Sequence, residues 1–160
     1  MKTVFILSLV LFSIAAAAQD SLYQARIKSL QNKVGTFSEF AKKDSVFLIC
    51  FWSVSSEDCI TELNEINLNL EKWHSMKSFR FMAVCVDVGK TAGKIRPIYN
   101  MNSWNFEVYD DLYGDMRRSL HSNNLPQSMI IYKNHIIYEQ TGWNSGSENY
   151  LFDKIPSVKN

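Results

Sequence analysis

Residues 45–63 read SVFLICFWSVSSEDCITEL and contain a strand-like run, a turn and the start of a helix. The apolar run at residues 45–52 has the length of a strand, and its lack of alternation is typical of a central strand that is buried on both faces. A short polar turn follows, and a helix is predicted over residues 56–74, which Ser55 or Ser56 can cap. Its apolar side chains recur at helical spacing and share one face: Cys59, Leu63, Ile66, Leu70 and Trp73.

The rest of the chain alternates between strand-like and helical segments. Residues 27–30 are predicted as a short edge strand and residues 37–42 as a helical piece. Beyond the central helix, strands are predicted at residues 79–86, 106–109, 127–132 and 135–140, and helices at residues 94–100, 116–121 and 147–155. This order predicts an α/β domain with a central mixed β-sheet, helices on both faces and an N-terminal strand extension.

The N-terminus has the pattern of a secretory signal. Lys2 supplies a positive charge, residues 4–14 are apolar, and an alanine run ending at Ala18 precedes Gln19. We expect residues 1–18 to be a cleaved signal peptide and residues 19–160 to form a single domain. The protein is therefore predicted to be exported, to the periplasm or the extracellular space, with no membrane insertion after cleavage.

The charge balance excludes two classes of partner. The chain has 17 Lys and Arg residues and 16 Asp and Glu residues, and removal of Lys2 with the signal leaves 16 of each. A net charge of zero in the mature chain gives no electrostatic reason to expect nucleic acid or an anionic membrane as a partner. The three histidines, His74, His121 and His135, lack the spacing of metal ligands. The sequence predicts no metal and no cofactor, and it carries no signal for an oligomeric state.

The order of segments, with a reactive-type turn after the first central strand and a proline before the hairpin, resembles the thioredoxin fold. More narrowly, the chain resembles the TlpA/ResA group of exported thiol–disulfide oxidoreductases. The resemblance rests on the stretches VFLICFWSVSSEDCITEL, AVCVDV, SWNFEVYDDLYGDMRRSL and NNLPQSMIIYKNHIIYEQTGW, and on the helix at residues 148–155. It implies a thioredoxin-like fold with a redox-type site at the start of the central helix.

The family pattern at this site is Phe-Trp-x-x-x-Cys-x-x-Cys-x-x-Glu. Four residues match it: Phe51, Trp52, Cys59 and Glu62. Ser56 stands in place of the first cysteine, which makes Cys59 and Ser56 the candidate catalytic residues of a degenerate Ser-x-x-Cys site. The resemblance also implies a cis peptide bond between Leu125 and Pro126 that lies against this turn, and a substrate-binding groove formed by Trp52, Leu125 and Pro126. Thioredoxins often keep a buried acid two residues before this tryptophan, where the present chain has Cys50.

Ser56 cannot form a thiolate or a disulfide, so the ordinary dithiol cycle is closed to Ser56 and Cys59. Three hypotheses follow. In the first, the protein acts through Cys59 alone and forms mixed disulfides with protein thiols in cell-envelope redox homeostasis. In the second, it is a redox-silent binding module that grips an extended protein segment beside Pro126. In the third, it is a one-cysteine peroxidase with Cys59 as the peroxidatic thiol, because SSEDCITEL also resembles the Thr/Ser-x-x-Cys-x-x-Glu pattern of peroxiredoxins.

Two of these hypotheses meet objections in the sequence. Cys59 occupies the shielded position of the family pattern, and the negative charges of Glu57 and Asp58 disfavour a thiolate there. Peroxiredoxins place a proline where this chain has Trp52, and an arginine beside the thiolate roughly where it has Pro126. Without that arginine, no residue of the pattern lowers the pKa of the thiol.

Each candidate also has a purely structural interpretation. Cys50 and Cys85 lie in apolar strands, where a free cysteine usually behaves as a small hydrophobe. A disulfide between Cys50 and Cys59 requires the strand to lie directly under the start of the helix. Cys59 itself lies on the apolar helix face and is equally well interpreted as a core residue. Glu62 is predicted to be a solvated helix residue, although members of the family place an acid near the thiols at this spacing.

Overall fold

The structure is a computed structural model that describes residues 22–41, 45–118, 124–133 and 135–157. The predicted signal peptide lies outside the described residues. In chain order, the strands are β1 (Arg26–Ser29), β2 (Val34–Thr36), β3 (Phe47–Trp52), β4 (Arg80–Cys85), β5 (Glu107–Asp110), β6 (Gln127–Tyr132) and β7 (His135–Thr141). The helices are α1 (Phe37–Phe40), α2 (Glu57–Met76), α3 (Ile95–Met101), α4 (Asp115–Arg118) and α5 (Ser147–Lys154), and a 3-10 turn at Thr91–Lys94 precedes α3.

The described strands form one mixed sheet in the order β2-β1-β5-β4-β3-β6-β7. Strands β3, β4 and β5 run parallel to one another, whereas β6, β7, β1 and β2 add antiparallel pairings on either side. The long helix α2 connects the parallel strands β3 and β4, as a crossover connection requires. This architecture confirms the predicted α/β class with a mixed sheet.

Both faces of the sheet are covered, which explains why β3 is a continuous apolar run. Leu48, Cys50 and Trp52 face a core layer that contains the apolar face of α2 together with residues of α3 and α5. The alternate side chains of β3 face a second layer, which includes Phe37 of α1 and Met116 of α4. All six side chains of β3 are buried, because a central strand with helices on both faces has no solvent side.

At the outer edge of the sheet, the sequence-based prediction is wrong. Residues 27–30 were expected to form an edge strand, but β1 lies inside the sheet, between β2 and β5. The strand at this edge is β2, Val34–Thr36, which lies between the predicted strand at residues 27–30 and the predicted helical piece and was not predicted as a strand. Three residues with a glycine in the middle are too short to produce a periodic signal, so only the pairing with β1 defines this strand.

Two of the predicted helices next to the ends of the described ranges are confirmed only in part. The helix expected at residues 116–121 begins at Asp115 and is described as far as Arg118, and residues 119–121 lie outside the described part of the chain. The helical piece expected at residues 37–42 ends at Phe40.

None of the helices in the described residues is long and apolar enough to cross a membrane.

Candidate functional site

The turn between β3 and α2 is held by hydrogen bonds to its own residues and to the end of β4. The carboxylate of Asp87 accepts a hydrogen bond of 2.7 Å from the backbone N–H of Val54 and one of 3.0 Å from the hydroxyl of Ser53. The backbone N–H of Ser56 donates to the carbonyl of Ser53 at 3.2 Å. The position of the turn is therefore fixed by a charged acceptor that follows the neighbouring parallel strand.

Of the two serines that the sequence predicted as possible caps, Ser55 and Ser56, it is Ser56 that is the N-cap of α2. Its hydroxyl oxygen accepts a hydrogen bond of 3.3 Å from the backbone N–H of Cys59, which satisfies one of the free donors at the helix start. Glu57 and Asp58 occupy the first turn, where negative charge is favourable to the helix dipole. Ser56 thus has a complete structural role, which a cysteine at this position could not fulfil equally well.

The thiol of Cys59 is fully buried, with 0% of the residue exposed. It belongs to the core layer that also contains Trp52, Leu63 and Ile66. Burial raises the pKa of the Cys59 thiol, and the charges of Glu62 and Asp58 raise it further, although interactions with Ser56 and with the backbone at Ser53 oppose the shift. At neutral pH the thiol is protonated and shielded from solvent. Both properties make Cys59 a poor nucleophile.

Glu62 corrects a prediction, because it is not solvated but 1% exposed. One of its carboxylate oxygens, Oε2, accepts a hydrogen bond of 3.0 Å from the thiol of Cys50, and the other, Oε1, accepts one of 3.5 Å from the hydroxyl of Ser128. Burial raises the pKa of Glu62 to about 7, with a further contribution from the charge of Glu148, whereas the two hydrogen bonds lower it. Glu62 lies three residues after Cys59 and therefore on the same, buried side of α2. This spacing was the feature of the sequence that could have predicted its burial.

The three cysteines are free and buried in the structure, so Cys50 and Cys59 are not joined by a disulfide. Cys50 and Cys85 lie in the core, as the apolar strands predicted. Burial raises the pKa of the Cys50 thiol well above its ordinary value, and the charge of Glu62 raises it further. The thiol of Cys85 donates to the carboxylate of Asp87 at 3.3 Å, and burial likewise raises its pKa.

Trp52 lies beneath the site rather than on its surface. Its side chain is fully buried and meets the ring of Trp104 edge to face, with 5.2 Å between the ring centroids. The indole N–H of Trp104 donates to Oδ1 of Asn64 at 2.7 Å, whereas the indole N–H of Trp52 has no partner among the described residues. A direct contact between Trp52 and a bound substrate stays a prediction.

The peptide bond between Leu125 and Pro126 is cis, as the resemblance implied. The carbonyl of Pro126 accepts a hydrogen bond of 2.7 Å from the N–H of Gly142. The partly buried side chain of Leu125 packs against both core layers, one of which contains Cys59 and Trp52. The structure therefore brings Leu125 to the same core layer as the start of α2.

The backbone of Leu125 has no hydrogen-bond partner in the described part of the chain. Among the described residues, neither its N–H nor its carbonyl takes part in a hydrogen bond, although the next residue is anchored through Gly142. Unpaired main-chain groups next to a strand can accept one more extended chain. Unlike the chemistry of Cys59, this binding feature does not depend on a thiol.

Two other kinds of site are not found here. No group of three or more His, Cys, Asp or Glu side chains in the described ranges could hold a metal ion. A cavity of about 440 Å³ is lined by the far end of α2, at Leu70 and His74, and by residues such as Phe81, Phe106 and Tyr109. It therefore lies away from the start of α2, where Ser56 and Cys59 are placed.

The sequence matches no family profile and no curated protein, but the structure is similar to solved structures. A thioredoxin-like protein from Porphyromonas gingivalis is 27% identical, with a TM-score of 0.73 over 84% of this chain and 88% of that one. A putative thiol:disulfide interchange protein DsbE from Chlorobium tepidum is 21% identical, with a TM-score of 0.68 over 81% and 88% of the two chains. The bacterioferritin comigratory protein of Xanthomonas campestris, whose structure was solved to study alkyl peroxide reduction, is 11% identical, with a TM-score of 0.66 over 84% and 90%. The chain thus has the thioredoxin-like fold shared by these redox proteins, which confirms the predicted fold.

Proposed function

We propose that this protein is an exported thioredoxin-fold binding module, related to the TlpA/ResA group, that holds an extended polypeptide segment beside Pro126 without dithiol exchange. The observation that carries the proposal is the unpaired backbone of Leu125, next to the cis bond that leads into β6. Export rests on the signal-like N-terminus. The ligand class is an extended protein segment, in agreement with the binding-module hypothesis.

The recognition mode is the addition of a short strand. An extended segment that runs past Leu125 can donate one N–H and accept one N–H, which satisfies both free backbone groups. The side chain of Leu125 is packed against the core, so these groups are held in place before binding, and little conformational entropy is lost when the segment docks. Main-chain pairing gives affinity with little selectivity for sequence.

The mixed-disulfide hypothesis receives less support from the geometry. Cys59 is fully buried, burial raises the pKa of its thiol, and Ser56 cannot form the disulfide that would release a trapped partner. A folded partner's disulfide cannot reach a sulfur that has no exposed surface. For this reason we assign Cys59 to the core in the resting protein.

The peroxidase hypothesis also receives less support as a description of an enzyme. Apart from burial, the pKa of Cys59 is shifted by Ser53, Ser56, Asp58 and Glu62. None of these residues carries a positive charge. A catalytic peroxidatic thiol needs such a charge or a comparable donor set to be ionised at neutral pH. Rapid turnover of peroxide is therefore not expected.

The binding proposal is tested with a probe that is defined chemically. Random nine-residue peptides on an array select a binder, and amide hydrogen exchange of the protein then locates the contact. We expect protection of the Leu125 amide. A scan of the same peptide with N-methylated backbone positions should find one position whose methylation weakens binding by about fivefold, because one main-chain hydrogen bond is worth about 1 kcal/mol. Uniform tolerance of N-methylation, or protection confined to the outer strand β7, would contradict the proposal.

A further inference from the structure

Four buried polar side chains meet under the first turns of α2. They come from three elements and are each at most 1% exposed: Cys50 of β3, Cys59 and Glu62 of α2, and Ser128 of β6. Cys50 and Ser128 are direct partners across the antiparallel pairing of β3 with β6. The binding function proposed above uses none of these four groups, although two of them are thiols and one is a base.

The two thiols belong to one core layer and are arranged around the same carboxylate. The thiol of Cys50 donates to Oε2 of Glu62 at 3.0 Å, and Cys59 stands three residues before Glu62 on one side of the helix. Both cysteines belong to one packed layer. The pairing of Cys50 with Ser128 across β3 and β6, and the hydrogen bonds of both residues to Glu62, place the Cys50 thiol directly beneath the helix turn that begins at Cys59.

We infer that Cys50 and Cys59 form an oxidant-sensitive pair, which hydrogen peroxide converts into an internal disulfide while Glu62 accepts the thiol proton. This inference goes beyond the proposed binding function and does not rest on it. This pair does not replace the first cysteine of the family pattern, where the chain has Ser56, because Cys50 and Cys59 lie elsewhere and are both buried. It is instead a buried modification site between β3 and α2.

The reaction balances in two steps. The sulfur of Cys59 attacks one oxygen of peroxide, the O–O bond breaks, and the products are a sulfenic acid on Cys59 and one water. The sulfur of Cys50 then attacks the sulfenic sulfur, its proton passes to Glu62 and on to the departing hydroxide, and a second water leaves. Two thiols lose two electrons, and one peroxide is reduced to two waters.

Burial determines which oxidant can act. A disulfide on a folded partner needs direct contact with the sulfur, and Cys59 offers no exposed surface. Hydrogen peroxide is small and uncharged, so brief local openings of the turn at residues 53–56 are enough to admit it. Because burial also raises the pKa of both thiols, the reaction is stoichiometric and slow, and it does not amount to peroxidase turnover.

The surroundings of Glu62 determine how the reaction depends on pH. The carboxylate of Glu62 accepts hydrogen bonds from Cys50 of β3 and Ser128 of β6. The charge of Glu148 of α5 also raises its pKa, and Cys59 lies three residues before it on α2. Burial raises the pKa of Glu62 to about 7, so the carboxylate is able to accept a proton only as the pH rises through neutrality. The rate of disulfide formation should therefore increase across this range.

The experiment treats the purified, reduced protein with hydrogen peroxide, removes the oxidant, denatures the protein and alkylates the remaining thiols. Intact mass and peptide mapping should show the loss of two hydrogen atoms, a linked Cys50–Cys59 peptide and one alkylated residue, Cys85. Cys85→Ser should behave like the wild type. Cys50→Ser keeps a donor for Glu62 and should stop at a sulfenic acid on Cys59 that dimedone traps.

Glu62→Gln tests the proton acceptor with a side chain of the same size. We expect its rate of disulfide formation to fall by roughly a hundredfold, and the increase of rate near neutral pH to disappear. The inference is overturned if peroxide leaves all three thiols of the wild type reduced, or if a disulfide forms through Cys85. An unchanged pH profile in a folded Glu62→Gln protein would remove Glu62 from the reaction.

Discussion

The thiol of Cys50 donates a hydrogen bond of 3.0 Å to the carboxylate of Glu62, from the central strand to the central helix. The strand position that often carries an acid in thioredoxins carries a thiol here, and the acid comes from the helix instead. Both side chains are buried, so the pair places an ionisable carboxylate inside the core. This arrangement has consequences for stability as well as for chemistry.

Glu62 should make the stability of the protein depend on pH. Burial raises its pKa from 4.5 to about 7, so within this range the folded protein holds a proton that the unfolded chain releases. The free energy of unfolding therefore decreases as the pH rises through this window, by about 3 kcal/mol, and Glu62 has no further effect above it. Urea unfolding of the wild type and Glu62→Gln at the two ends of the window measures the difference.

Glu57→Gln is the matched control for this measurement. Glu57 lies on the same helix but is exposed, so its substitution should leave the pH dependence of the wild type intact. Glu62→Gln should instead lose most of the decrease. An identical decrease in both variants would show that another group is responsible.

Asp87 should fix the turn at residues 53–56. Its carboxylate accepts from the N–H of Val54 and from the hydroxyl of Ser53, and hydrogen bonds to a charged group are worth about 1.5–3 kcal/mol each. We expect Asp87→Ala to lower the free energy of unfolding by about 3 kcal/mol and to speed hydrogen exchange at the Val54 amide. Asp153→Ala, at an exposed position of α5, is the control, and equal effects of the two substitutions would refute the role of Asp87.

Ser56→Cys should restore part of a dithiol site. The new thiol occupies the N-cap position, where the helix dipole lowers its pKa, and the hydroxyl that it replaces lies 3.3 Å from the N–H of Cys59. We expect mild oxidation to form a disulfide with Cys59, and reduction of insulin with dithiothreitol to be measurable but weak because Glu57 and Asp58 oppose the thiolate.

Two controls accompany this variant. Ser56→Cys combined with Cys59→Ser should lose the insulin activity, and Ser55→Cys should not acquire it, since that position precedes the cap. The absence of any internal disulfide in Ser56→Cys would mean that the turn lacks oxidoreductase geometry. Equal activity in the wild type would mean that Ser56 is no obstacle to exchange.

Export should remove residues 1–18 and leave Gln19 at the N-terminus, free to cyclise. The prediction rests on the charge of Lys2, the apolar stretch and the alanine run. Mass spectrometry of the protein from its native host tests it. A mass that includes Met1 would contradict both the processing and the exported location.

Patterns within one segment were sufficient to predict most of the fold. The apolar run at residues 45–52 gave a strand that is buried throughout, and the spacing from Cys59 to Trp73 gave the buried face of α2. Both predictions depend only on the spacing of apolar residues within one segment, which reflects the side of the strand or helix that is buried. The outer strand β2 was missed because three residues have no period, and only their pairing with β1 defines them.

The site was harder to predict because its key contacts are distant in sequence. Ser56 and Cys59 were found from one local motif, but the hydrogen bond of Cys50 to Glu62 joins a strand to a helix, and Ser128 reaches the same carboxylate from 66 residues away. A glutamate on a helix is ordinarily solvated, so residue type alone favoured the wrong prediction. The position of Glu62 one turn after Cys59 was the signal that deserved more weight.

The decisive measurement concerns the burial of Cys59, because mixed-disulfide exchange through this residue is the main alternative to a binding module, and such exchange needs a thiol that partners can reach. The measurement is the rate at which Ellman's reagent, a bulky disulfide, modifies Cys59 in the native reduced protein, with peptide mapping to assign the site and the unfolded protein as reference. We expect modification at least a hundredfold slower than in the unfolded protein, limited by local opening of the structure. Modification of native Cys59 as fast as in the unfolded chain would contradict the account and would favour mixed-disulfide chemistry at this residue.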